Sequence, residues 1–187
     1  TFSNMTVVGP IQNAGDVINV NYKRGAHLRR NTNTDIFNSV IIGYPSGIMV
    51  DGALCEASAT ANSLKVQNSI IAGHNNDFEV AVGSSFDANA WFTTAAYNNS
   101  ILDLSSDVML TDAYNIISPN FIPMGGSPLL SGASFVEAEL IGLIPTTYKG
   151  AFGNLDWTSC WANWDPQNTN YGEVPGTIAP AIASFDI

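Results

Sequence analysis

A short motif recurs along the first hundred residues and limits the folds that this chain can adopt. In each copy an Asn precedes a short run of β-branched and other apolar residues, and the first three copies close on Gly. The Asn anchors are Asn4, Asn38, Asn68 and Asn99, so the steps are 34, 30 and 31 residues. A period near 30 residues without a helical pattern is typical of one coil of a parallel β-solenoid.

Further strands can be placed inside one repeat. Residues 26–30 alternate small or apolar residues with polar ones, as a half-buried strand does. Residues 35–43 contain the repeated run, and residues 47–52 form a third segment bounded by Gly at both ends. We therefore expect three strands per coil. The Asn anchors would stack as a ladder, serve as turn residues that tolerate left-handed φ, or do both.

The composition agrees with a strand-rich fold and excludes some functions. Only 12% of the residues are charged, and the polar remainder is mainly Asn, Ser, Thr and Gly, which weaken helices and favour turns. Sixteen acidic residues against six basic ones give a net charge of −10. A nucleic acid is therefore excluded as a partner, because its backbone requires clustered positive charge. No apolar run reaches the length of a membrane span, so none is expected.

Several segments resemble right-handed parallel β-helix proteins. Residues 127–133 resemble a loop near the end of many such domains, and residues 150–153 resemble their closing strand. Residues 156–166 are similar to the endings of uncharacterised secreted or surface-exposed proteins of the Bacteroidetes type. The segments that resemble the coils themselves are residues 25–31, 38–43 and 47–52.

This resemblance implies an all-β, right-handed parallel β-helix with a C-terminal capping segment. Residues 1–133 would form the coils, and residues 134–187 a final strand and cap of the same domain. The function it implies is a structural, adhesive or assembly role outside the cell or at its surface, as the C-terminal part of a longer chain. The alternative is a polysaccharide lyase or hydrolase, or a carbohydrate-binding module, because the β-helix fold carries all of these activities.

The expected partner is the remainder of the same polypeptide, or a second copy, stacked on the N-terminal coil. A polysaccharide is the second candidate partner. No cofactor is expected, because a Ca²⁺ site or a hydrolase site needs several carboxylates on one strand face, and the sequence shows no such cluster. No catalytic or metal-binding residue is assigned. Asp103 and Asp107 would share a face if they lay on one strand, but the segment fits a strand that ends in a turn equally well.

Two sets of residues are candidate ligand contacts. Lys23, His27 and Arg29 belong to a basic run that could bind an anionic ligand, or could simply solvate one face among the surrounding acids. Trp157 and Trp161, with Trp164 after them, have the spacing of one helical face. Their rings could stack on sugars or cover the open end of the solenoid.

The remaining expectations concern His74 and the two cysteines. His74 lies in a predicted turn, where a solvated side chain is expected. Cys55 and Cys160 are too few for a disulfide scaffold and lack zinc-binding spacing. They could form one disulfide in an oxidising compartment or be two unrelated buried thiols, and the sequence leaves both alternatives open.

Overall fold

The computed structural model describes residues 1–172, in which the chain winds through three coils of short strands. The strands of the first coil are β1 (Phe2–Ser3), β2 (Thr6–Val8) and β3 (Arg24–Arg29). Those of the second coil are β4 (Ile36–Phe37), β5 (Val40–Ile42) and β6 (Ser46–Asp51). Those of the third coil are β7 (Val66–Gln67), β8 (Ile70–Ala72) and β9 (Asn76–Val80), and β10 (Ser100–Leu102) follows them.

Each coil contributes one strand to each of three sheets. The strand orders are β1-β4-β7, β2-β5-β8-β10 and β3-β6-β9, and every pairing in them is parallel. The expected parallel β-helix architecture with three strands per coil is therefore confirmed. The chain is a small parallel β-solenoid.

The anchor Asn residues form the corner between the first two strands of each coil. Asn4, Asn38 and Asn68 have φ between 51° and 55°, the left-handed region that Asn tolerates better than most residues. The fourth corner is Asn98, with φ 53°, rather than the expected Asn99. Its amide donates to the Asn68 amide oxygen at 3.2 Å. All four residues therefore have the turn role, whereas the ladder contact is formed between Asn98 and Asn68, and Asn4 and Asn38 bond other groups.

Side chains of the four-stranded sheet pack on both of its faces. Val7, Ile41, Ile71 and Ile101 stack in register inside the coils. The outward-facing residues Val40, Ile42, Ile70 and Ala72 form a second apolar cluster, which is completed by Val108 and Leu129 from later in the chain. The sheet is therefore covered on its outer face by residues that follow the coils.

The chain folds back over that face after Leu102 instead of adding another coil. Residues 105–108 and 128–130 form short 3-10 helices. Between them lies an antiparallel pair of β11 (Leu110–Asp112) and β12 (Asn120–Pro123). Residues 103–133, which the sequence analysis places in the coils, thus lie outside the three parallel sheets.

Two helices flank the coils. α1 (Ala53–Thr60) follows β6, and α2 (Ala88–Phe92) follows β9 within the segment 87–97. Trp91 and Phe92 of α2 belong to the inner core, and the Phe92 ring centroid lies 5.2 Å from that of Phe78. α2 therefore closes the end of the stack at the third coil.

The C-terminal segment runs along the side of the coils. The Gly150 nitrogen donates to the Asn38 oxygen at 2.7 Å, and the Ala151 nitrogen donates to the Thr6 hydroxyl at 2.9 Å. Within residues 134–172 there is a 3-10 turn at Ala138–Leu140 but no strand, so the expected closing strand at 150–153 is not formed. The rest of the expected cap, 173–187, lies outside the described residues. No helix within residues 1–172 is long and apolar enough to cross a membrane.

Candidate functional site

The basic run lies on the outer face of the β3-β6-β9 sheet. His27 is in register with Met49, while its neighbour Leu28 points into the core beside Val50. Alternation along β3 therefore directs His27 and Arg29 outward. We call the resulting surface the charged patch. It comprises Lys23, Arg24, His27, Arg29, Arg30, Asp51 and Glu79.

The charged patch is organised as two separate groups, a trio around Asp51 and the pair Arg24–Glu79. His27 Nε2 lies 2.8 Å from Asp51 Oδ2, and Arg29 Nε lies 3.9 Å from the same oxygen. The Arg24 Nε donates to Glu79 Oε2 at 2.6 Å. All of these side chains are partly exposed, so each pair contributes at most about 1 kcal/mol to stability. Lys23 is exposed and forms no ion pair among residues 1–172.

Elsewhere in the described chain two carboxylates converge, those of Glu137 and Glu139, which bind Lys65 Nζ at 2.8 and 2.7 Å. No group of three or more His, Cys, Asp or Glu side chains within residues 1–172 is placed to hold a metal ion. Asp107 Oδ2 accepts the Leu104 main-chain N–H at 3.0 Å, so this carboxylate caps the short helix at 105–108. Asp103 and Asp107 consequently do not lie on one strand face.

Five aromatic residues form a continuous surface feature, the aromatic ridge. Its members are Phe121, Phe152, Trp157, Trp161 and Trp164. The Phe152 and Trp157 rings stack at 5.5 Å, and the Trp157 and Trp161 rings stack at 5.7 Å. Phe121 contacts Phe152 at 5.3 Å and Trp164, edge to face, at 5.5 Å. The spacing of the Trp residues thus brings Trp157 and Trp161 together.

The three Trp rings of the aromatic ridge are exposed, whereas Phe152 is buried. The exposed fractions are 49% for Trp157, 66% for Trp161 and 41% for Trp164. The Trp157 indole N–H donates to the Ala151 oxygen at 2.8 Å, and that of Trp161 donates to the Trp157 oxygen at 2.6 Å. Residues 157–161 form turns instead of the expected helix. The ridge lies beside β2 and so covers the side of the coils rather than the end of the stack.

Two grooves lie next to the aromatic ridge, and the sequence pattern does not reveal either. One, of about 320 Å³, is bordered by β2, Phe121, Phe152, Trp157 and Trp164. The other, of about 480 Å³, lies between the loop after β2 and the loop that joins β11 to β12. The second groove includes Tyr22 and Tyr114, which no periodic signal connects because they are far apart in the sequence.

The surroundings of His74 differ from the expected solvated turn, and the two cysteines differ from each other in exposure. His74 is partly buried, with Nε2 3.2 Å from the Ile41 oxygen, so it is not a solvated turn residue. Burial lowers the pKa of its imidazole.

Cys55 is buried in α1 and Cys160 is exposed, and both are free thiols. The two cysteines are therefore not joined in the structure.

Comparison with known proteins identifies no relative. The chain matches no family model, no curated protein and no solved structure. The function must therefore be inferred from the geometry of the solenoid, the charged patch and the aromatic ridge.

Proposed function

We propose that this chain is a structural module, located outside the cell or at its surface, that assembles by accepting a further β-coil on its first coil. The observation that carries the proposal is the exposure of Phe2. Phe2 is 54% exposed, whereas Ile36 and Val66, which stack on it in register, are 4% and 1% exposed. An apolar side chain at an inner position of a coil is buried only when another coil or a covering segment lies on each side of it.

The strand edges of the first coil support the same conclusion. β1, β2 and β3 each pair with a strand on one side only. Their remaining N–H and C=O groups form a template for another strand. The opposite end of the stack differs, because α2 covers it with the fully buried Phe92. The first coil is thus the end at which a partner coil can add.

Charge indicates what kind of coil would fit. Arg29 is in register with Asp51 of the next coil, so the sheet already places an acid beside this base. Four of the six basic residues of the chain lie within 23–30, at the open edge. If a second copy paired through its own β3 edge, the basic runs of the two copies would face each other. If it paired through the opposite end of its stack, its own α2 would lie between the two copies. The occupant we propose is therefore a non-identical coil with an acidic strand over β3, supplied by the remainder of a longer polypeptide.

The proposal can be tested by adding a coil of known register. A copy of residues 35–64 is fused ahead of Thr1. In the unmodified sequence this segment is followed by Lys65, so in the fusion Thr1 takes the position of Lys65. In the ladder, Phe2 N donates to Asp35 O, and Ile36 N donates to Lys65 O in the same way. Each coil therefore has an equivalent residue directly before its first strand, namely Thr1, Asp35 and Lys65. In this fusion the added Asp51 lies over Arg29, and Phe2 becomes an inner residue.

We expect slower hydrogen exchange in β1 and β3 of the fusion and a higher thermal midpoint, by about 2–4 °C for each kcal/mol gained. The matched control carries Asp51→Lys in the added copy only and should gain less. Unchanged exchange in β1 and β3 would refute the proposal. A dimer of the unmodified chain that is abolished by Phe2→Ala would refute the choice of occupant.

Location outside the cell is tested separately. Protease treatment of intact cells that produce the protein should digest it. Complete protection would contradict a location at the surface.

The alternative function, a polysaccharide-degrading enzyme, is favoured by one observation. His27 and Asp51 are in hydrogen-bond contact with Arg29 beside them, and such a set could move a proton on an anionic sugar. Incubation with polygalacturonate or alginate tests it, with absorbance of unsaturated products and new reducing ends as readouts. Product formation that His27→Gln abolishes, while Arg30→Gln does not, would support the enzyme. Absence of product with every polymer would reject it.

A further inference from the structure

We propose that the larger groove beside the aromatic ridge binds a neutral oligosaccharide. The groove lies between residues 9–22 and residues 113–121, and we call it the loop groove. Its volume of about 480 Å³ is in the range of small-ligand sites. The inference is independent of the proposed coil assembly, since the groove lies on the side of the solenoid and not at its open end.

Aromatic side chains supply the apolar contacts that sugar rings need. Tyr22, Tyr114, Phe121 and Trp164 all line the loop groove. Tyr22 is 51% exposed and Trp164 is 41% exposed, so both rings have surface available for a ligand. Phe121 contacts Trp164 edge to face and fixes its orientation. The C–H faces of a pyranose pack on such rings, which provide a large apolar area with little loss of side-chain freedom.

Unpaired polar groups in the same groove fit a ligand rich in hydroxyl groups. Asp16 Oδ2 accepts the main-chain N–H groups of Gln12 and Asn13 at 3.0 and 2.8 Å, which orients the carboxylate. Within residues 1–172, no protein group bonds to Asp16 Oδ1, to the Gln12 side chain or to the Tyr22 hydroxyl. A carboxylate oxygen accepts from sugar hydroxyls, and an amide and a phenol can both accept from them and donate to them.

The charge of the loop groove selects against acidic sugars. Among residues 1–172, Asp16 is the one Asp or Glu that lines the groove, and no Lys or Arg of this range lines it. An anionic saccharide would be repelled by Asp16 and by the net charge of −10. A uronate polymer suits the charged patch, whereas a neutral glycan suits the loop groove.

The walls of the loop groove are tied to the solenoid, so the site exists before a ligand binds. The Tyr114 hydroxyl donates to the Ile11 oxygen at 2.9 Å and joins one loop to the other. The Gly9 and Ile11 nitrogens donate to Ile42 and Gly43 oxygens at 2.7 and 2.8 Å, which anchor the first loop on β5. Pre-formed walls reduce the ordering cost of binding.

The experiment measures binding of neutral hexasaccharides of glucose, mannose, xylose and N-acetylglucosamine by calorimetry, with hexagalacturonate as the acidic counterpart. We expect at least one neutral hexasaccharide to bind and hexagalacturonate not to bind. Trp164→Ala should weaken binding by about tenfold or more, because it removes a central aromatic contact. Gln12→Ala, an exposed loop substitution that leaves the core untouched, should weaken it by a smaller factor.

Trp161→Ala is the matched control, since Trp161 is the most exposed residue of the aromatic ridge and does not line the loop groove. Its affinity should equal that of the unmodified chain. The inference is overturned if no neutral hexasaccharide binds, if hexagalacturonate binds best, or if Trp161→Ala removes binding while Trp164→Ala and Gln12→Ala retain it. None of these results bears on the fusion experiment, so the two proposals fail separately.

Discussion

His74 Nδ1 lies 3.1 Å from the main-chain nitrogen of Tyr44, one coil earlier in the stack. Nδ1 also lies 3.1 Å from the Tyr44 oxygen, and Nε2 lies 3.2 Å from the Ile41 oxygen. Through both ring nitrogens the imidazole therefore joins two coils. Gly47 makes the contact sterically feasible, since a Cβ there would come within 2.7 Å of the His74 ring.

This contact predicts that stability falls in mild acid. Burial lowers the pKa of His74 in the folded protein, while its unfolded value is about 6.5. At a pH between the folded and the unfolded pKa, His74 binds a proton in the unfolded chain but not in the folded protein. The free energy of unfolding therefore decreases as the pH falls below about 6.5. Urea unfolding from pH 7.5 to 5 measures this decrease.

His74→Gln should remove much of the pH dependence, and His27→Gln, at the charged patch, should retain it. Asp77 lies near His74, and burial raises the pKa of its carboxyl group, so the series is repeated with Asp77→Asn. A slope that is the same with and without His74 would show that burial of this imidazole is not the source of the pH dependence.

Asn38 should be the most costly corner residue to replace. It is fully buried, its amide oxygen accepts the Ser134 N–H at 2.8 Å, and its amide nitrogen donates to Ser134 O and Ser3 Oγ at 3.0 and 3.2 Å. Asn38→Ala should lower the free energy of unfolding by about 3 kcal/mol. Asn62→Ala, at an exposed left-handed position, should cost about 1 kcal/mol. Equal costs in urea unfolding would show that backbone conformation alone explains these corners.

Gly43 should not tolerate a side chain. Its φ is +71°, and a Cβ would lie 2.5 Å from the Ile11 oxygen and 2.6 Å from the Tyr114 hydroxyl. Gly43→Ala should cost about 3 kcal/mol in thermal or urea unfolding. Gly15 has φ +90° but open space around it, so Gly15→Ala should cost only about 1 kcal/mol. If both substitutions cost the same, the close approach of Tyr114 is not what requires Gly43.

The cysteines should react at different rates. Cys160 is exposed and Cys55 is fully buried, so a thiol reagent should modify one thiol in the native protein and two after unfolding. Mass spectrometry after alkylation under non-reducing conditions measures this directly. A denatured protein without free thiols would show that Cys55 and Cys160 are bonded, contrary to the structure.

The sequence was sufficient to predict the coils because their register repeats. Asn4, Asn38 and Asn68 recur at similar spacing, and the apolar runs after them stack in register. The expected fourth anchor, Asn99, is one residue away from the corner at Asn98, because two adjacent Asn residues fit the repeat equally well. Asn98 forms the corner, while the Asn99 amide oxygen accepts the Ser69 N–H at 2.8 Å, as Ser69 Oγ does for Ser39 one coil earlier.

The surfaces beside the coils could not be predicted in the same way. The fold-back after Leu102 has no period, and its packing on Ile42 and Ile70 depends on contacts between distant segments. The helix α1 had an available signal in the Ala-rich segment after Gly52, since Ala favours helices. The loop groove had none, because Tyr22 and Trp164 meet there only after the C-terminal segment has returned to the first coil.

The contact of Asn4 with the end of the chain has a consequence for the order of folding. Its side-chain amide donates to Thr146 Oγ1 at 3.2 Å and to the Tyr148 oxygen at 2.9 Å, across more than 140 residues. Contacts so distant in sequence close late and slowly. The first coil is therefore completed only when residues 146–148 have returned to it, and Val40 and Ile42 stay uncovered until Val108 and Leu129 pack on them.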